Sequence, residues 1–95
     1  MSKVQANRHL FCEALKSGKY PLSNSHGYKG AGFYCAIGVA LEIFDLEAVT
    51  AESLEEVKNI LGIESLQIYE IQKINDSSID EVRVQKVVEY VESLP

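Results

Sequence analysis

The longest apolar segment of the chain is 34–44, where ten of eleven positions are apolar or small and only Glu42 interrupts them. A helix that is apolar on every side is normally enclosed by other elements. Residues 34–45 are therefore expected to form a buried central helix, entered through a glycine-bearing loop that begins near His26. Gly38, in its middle, costs about 1 kcal/mol relative to Ala, and the compensation expected is close approach by another helix.

Around that segment the period is helical. In Lys3–Lys16, Val4, Leu10, Phe11, Ala14 and Leu15 fall on one face, leaving Asn7, Arg8, Glu13 and Lys16 for water. Ser2 is the expected N-cap, and Gly18 the left-handed stop. Pro21, a Ser-Asn-Ser run, His26 and three glycines then supply turn chemistry over 19–32, with Tyr20, Tyr28, Phe33 and Tyr34 placed to flank a short hairpin.

After a short apolar connection at 46–49, the 50–56 run offers two caps, with Ser53 and Glu56 at capping-box spacing. Leu54, Val57, Ile60 and Leu61 line one face up to Gly62. A further helix is expected over 65–74, burying Leu66, Tyr69 or Ile68, and Ile74, with Asn75-Asp76-Ser77 as the turn after it. Ser78 and Glu81 make another capping box for a last helix that turns Val82, Val87, Val91 and Leu94 inward. Its valines also suit a strand, but the cap and the alternation of apolar pairs with charges favour helix. The fold class read from this pattern is mainly α, a compact bundle of about five short helices around the central apolar one, with a short β-hairpin between the first two.

Composition narrows the class. Ninety-five residues with 46% hydrophobic and 24% charged positions suit one globular domain spanning the whole chain. A net charge of −5 is the wrong sign for a phosphate-binding surface, and Lys16, Lys19 and Lys29 form only a weak patch, so no nucleic-acid partner is expected. Acidity favours solubility, or a basic partner, and Glu52, Glu55, Glu56, Glu64, Glu89 and Glu92 are read as solvated faces. The N-terminal run lacks the apolar core of a signal peptide, and 34–44 is too short to span a bilayer. The expectation is a cytoplasmic protein with no membrane partner and with Cys12 and Cys35 as reduced thiols.

Chemistry, if any, belongs to 26–35. Cys35, read as lying in the first helical turn, would feel the positive end of the macrodipole, which lowers a thiol pKa. His26 on the preceding loop is the only base positioned to activate it. No third group completes the set and no histidine follows Cys35, so burial of the cysteine is the preferred reading and a catalytic Cys35–His26 pair the alternative. His26, Lys29, Gly30, Gly32 and Tyr34 form a candidate ligand or anion loop at the helix start. The loop lacks the last glycine of a dinucleotide fingerprint and the Gly-Lys-Ser/Thr of a P-loop, which favours a tight turn.

Asp76, Ser78 and Asp80 alternate like calcium ligands, but Glu81 stands where the loop glycine belongs and Val87 where the bidentate glutamate belongs. The cysteines and histidines lack zinc spacing. No metal and no cofactor is implied.

Three segments taken together, EALKSGKY at 13–20, FYCAIGVALEI at 33–43 and KIND at 73–76, resemble a family of small, mostly uncharacterised proteins of bacteria and their phages. Its marks are a Ser-Gly-Lys-Tyr turn, a Tyr-Cys central helix and a later Asn-Asp turn. Members with a second cysteine beside the first differ from this chain, which has Ala36 there. The resemblance carries no established activity. It implies that Cys35, Gly38, Asn75 and Asp76 share one arrangement, with the Asn-Asp turn capping a helix next to the central one.

The reading that follows is a regulatory or protein-binding accessory protein, phage or mobile-element related and not an enzyme. The alternatives are a small-ligand or anion binder using 26–35, and a cysteine-dependent enzyme with Cys35 as nucleophile. The last helix is a candidate homodimer face.

Overall fold

A computed structural model of the chain describes residues 2–23, 29–30, 32–46 and 50–95. Among the described residues the elements are α1 (Lys3–Lys16), β1 (Lys29–Gly30), β2 (Phe33–Tyr34), α2 (Ala36–Ile43), α3 (Ala51–Leu61), α4 (Ser65–Ser77) and α5 (Asp80–Glu92). The mainly helical bundle expected from the pattern is what forms.

Local rules explain most of the ends. The Ser2 hydroxyl accepts the Gln5 N–H at 3.1 Å while the Gln5 side chain accepts the Ser2 N–H, a reciprocal box that opens α1. Gly18 and Gly62 take the left-handed conformation just beyond α1 and α3, with φ of +76° and +63°. In α3 the box is made by Thr50 and Ser53, at 3.0 and 2.9 Å. The expected Ser53–Glu56 box is thus corrected, because the helix starts at Ala51 and Ser53 already lies in its first turn.

α4 also runs further than expected. Asn75, Asp76 and Ser77 belong to the helix, not to a turn after it. The Ser78 hydroxyl donates to the Ile74 carbonyl at 2.6 Å, closing α4 instead of opening α5, whose N-cap is Ile79 with no side-chain bond. The two expected strands pair antiparallel, Lys29 opposite Tyr34 and Gly30 opposite Phe33, and Leu22 bridges to Tyr34 from the other side.

The apolar segment does organise the packing, although its helix is shorter than the segment. Tyr34 ends β2, Cys35 is the N-cap, and every residue from Ala36 to Leu41 is buried. α1, α3 and α4 pack on α2, while α5 lies across α1 and α4. Phe11, Leu15, Ile37, Val39, Val57, Leu61, Ile71 and Val87 make the fully buried centre. Burial of each such side chain contributes roughly 1.5–3 kcal/mol.

Three facings differ from the periodic reading. Leu10 is exposed and Cys12 takes its place inside. Leu66 is 71% exposed, because Ile71 and Asn75 set the inward phase of α4; of the alternatives Tyr69 and Ile68, Tyr69 is 61% exposed while Ile68, like Ile74, packs against the core. In α5, Val87, Val88 and Val91 turn inward and the exposed positions include Asp80, Glu81, Lys86, Glu89 and Glu92, so its outer face is charged and not an apolar dimer patch. Among the described residues no helix is long and apolar enough to cross a membrane.

Candidate functional site

The start of α2 is where the sequence placed the chemistry. Tyr34 fixes the approach to it: its N–H donates to the Pro21 carbonyl at 2.9 Å, its carbonyl accepts the Ser23 N–H at 2.8 Å, and its ring meets Tyr20 edge-on at 5.4 Å. Cys35 follows in extended conformation, 2% exposed, and its Sγ accepts the Gly38 N–H at 3.3 Å. Sulfur therefore fills the role that a hydroxyl or carboxylate usually has at an N-cap.

Burial dominates the thiol's chemistry. It pushes the Cys35 pKa up, against the opposing pull of the Gly38 N–H, the Gln72 amide and the Ile37 N–H; the nearby Asp76 charge adds to the rise. The lowered pKa expected from the helix dipole is corrected, since removing the thiolate from water outweighs the donors that face it. A neutral, enclosed thiol is a poor nucleophile.

The first-turn donors of α2 are already committed. The Ala36 N–H donates to Asn75 Oδ1 at 3.1 Å, Gly38 donates to Cys35 Sγ, and Val39 donates to the Cys35 carbonyl at 3.1 Å. An anion needs such N–H groups free. Of the other loop candidates, Gly32 has a φ of +83° and makes the turn between the strands, Lys29 and Gly30 form β1, and His26 lies outside the described residues.

Asn75 is the residue that periodicity missed. It is fully buried, and while its Oδ1 caps α2, its Nδ2 donates to the Ser23 carbonyl and to Asp76 Oδ1, each at 3.2 Å. Its main-chain carbonyl accepts from Arg83 Nε at 2.7 Å. Arg83 is itself 4% exposed, also donates to the Ser78 carbonyl at 2.5 Å, and is ion-paired with Asp80. The resemblance had grouped Cys35, Gly38, Asn75 and Asp76. Cys35, Gly38 and Asn75 do meet at one helix end, and Asn75 caps the central helix itself and not a neighbour.

Three surface clefts complete the search for a site. One, of about 440 Å³, lies between α1 and α5 over Gln5, His9, Cys12 and Glu92. Burial, reinforced by Glu92, pushes the Cys12 thiol up to about 11, so this cysteine is also held neutral. Arg8 at its edge was expected to face water; instead it donates to the Leu61, Gly62, Leu94 and Pro95 carbonyls at 2.7–3.3 Å, a cation placed where α3 and α5 end. A second, of about 510 Å³, separates α3 from α4, and a third, of about 610 Å³, lies over Asp45, Leu46, Thr50, Glu52 and Glu56 at the start of α3. Among the described residues no group of three or more His, Cys, Asp or Glu side chains is arranged to hold a metal. Compared with protein-family models, curated proteins and solved structures, the chain finds no match.

Proposed function

We propose that this chain is a non-enzymatic accessory protein that acts by binding another protein. The observation that carries the reading is the exposure of Leu66 and Tyr69, two large side chains side by side on one face of α4 and beside an open cleft. Apolar surface left uncovered in this way marks interaction sites. Cys35, the nucleophile of the enzyme alternative, supports the same reading, because its Sγ is used in capping α2. The resemblance to bacterial and phage proteins directs the accessory role toward phage or mobile-element biology, in a cytoplasm that keeps both buried cysteines reduced.

Cross-linking of the full chain in its own cells, followed by reconstitution with the purified partner, tests this. A stoichiometric complex is the expected result. Turnover of an acyl, phosphoryl or nucleotide substrate that is lost with Cys35→Ser would overturn the reading.

A further inference from the structure

α4 has no stop of its own. Its last turn carries no basic residue, no glycine follows it, and its C-cap Ser78 lies in extended conformation. The carbonyls of a last helical turn find no partner within their helix. α5 supplies the missing donors: Arg83 Nε donates to the Asn75 carbonyl at 2.7 Å, and one terminal guanidinium nitrogen donates to the Ser78 carbonyl at 2.5 Å. The other terminal nitrogen pairs with Asp80, whose side chain is 89% exposed while that of Arg83 is 4% exposed. The ion pair therefore runs from the surface into the protein.

The residue that receives Arg83 also caps α2. Asn75 accepts the Ala36 N–H at 3.1 Å through its side chain and donates to the Ser23 carbonyl at 3.2 Å. The main neighbours of α5 are α1 and α4, so Asn75 is the route by which Arg83 bears on the start of α2. Neither end opens cheaply alone. Unwinding the last turn of α4 would withdraw the Asn75 carbonyl, leaving a buried guanidinium short of an acceptor, and would uncap α2 in the same movement. Without Arg83, the turn that presents the Asn75 amide loses its closure.

We propose that Arg83 and Asn75 form a relay through which the α4–α5 turn and the start of α2 open and close as one cooperative unit. Arg83 is a positioning residue in it, acting on α2 through Asn75. The surface end of the relay is Ile79 and Asp80, both exposed, and the buried end is the Ala36 N–H. A contact made at the α4–α5 turn is thereby felt at the N-terminus of the central helix.

Hydrogen exchange in the isotope-labelled full chain tests the relay from both ends. The control is the unaltered protein in urea, brought to the same global stability as each variant. Arg83→Lys keeps the charge and the stem but not the planar fork, and should speed exchange of the Ala36 amide about tenfold over the control. Asn75→Ala keeps the main-chain carbonyl that Arg83 bonds. It should nevertheless speed exchange of the Arg83 Nε proton by a similar factor, because coupling between two sites is reciprocal. Should Asn75→Ala not fold, Asn75→Ser carries the same expectation. Amides of α3, such as that of Leu61, should match the control throughout. Acceleration at only one end, at neither end, or to an equal degree in α3 overturns the relay.

Discussion

Asn75 and Ala36 are separated by 39 positions in the chain, and the Asn75 side-chain carbonyl accepts the Ala36 N–H at 3.1 Å, with Asn75 fully buried. The last turns of α4 thereby cap the first turn of α2. The same amide holds the Ser23 carbonyl, so the start of the central helix, the loop before it and α4 form one hydrogen-bonded unit.

Asn75→Ala should therefore destabilise the fold by roughly 1–3 kcal/mol, because it removes the acceptor of the buried Ala36 N–H. Urea denaturation with an unchanged slope would show this. A loss below about 0.5 kcal/mol, the range of ordinary surface changes, would mean that the cap contributes little.

Cys12 and Cys35 should both react slowly with iodoacetamide in the native state, at rates that track unfolding. Burial raises both thiol pKa values, so neither offers thiolate near neutral pH. Mass spectrometry of the alkylated protein, with and without denaturant, separates the outcomes. Rapid native labelling of Cys35 would contradict its enclosure.

Stability should decline on the alkaline side. The Cys12 thiol titrates at about 11 in the fold against an ordinary 9.0, so between those values the folded chain binds the extra proton. Stability fully present below pH 9 is lost as pH rises toward 11, by an amount on the order of 2 kcal/mol. Cys35 acts in the same direction. Urea midpoints measured from pH 8 to 11 should fall, and Cys12→Ala should flatten that fall.

Gly62→Ala should cost at least about 1–2 kcal/mol, the penalty for a side chain in the left-handed region. A Cβ there would also stand 2.7 Å from Val4 Cγ1, so the Val4 side chain or α1 beneath it would have to shift. Gly18→Ala has the same backbone strain, with φ +76°, but meets nothing within 4 Å. Thermal unfolding of the two variants should place Gly62→Ala as the more damaging.

Much of the helical layout was legible because its causes are local. Ser2, Gly18 and Gly62 act within a few residues of themselves, and the apolar run over 34–44 has no face to give to water. The limits of such reading appear at Ser53 and Ser78. Either hydroxyl suits a helix start by spacing, yet one lies inside α3 and the other closes α4.

By itself the sequence determined the fold class, the centrality of the apolar segment and the stops between helices, since propensity, capping and periodicity operate over one or two turns. Tertiary structure alone decided the roles of the polar residues. Arg8 and Asn75 look solvent-facing in the chain, and became the tie at two helix ends and the cap of α2 through partners 39 to 87 positions away. It also decided that Cys35 is a buried cap with its proton held, and that Leu66 and Tyr69 stay outside. A helix has several faces that bury apolar side chains equally well; which one turns inward is set by the neighbours that pack on it.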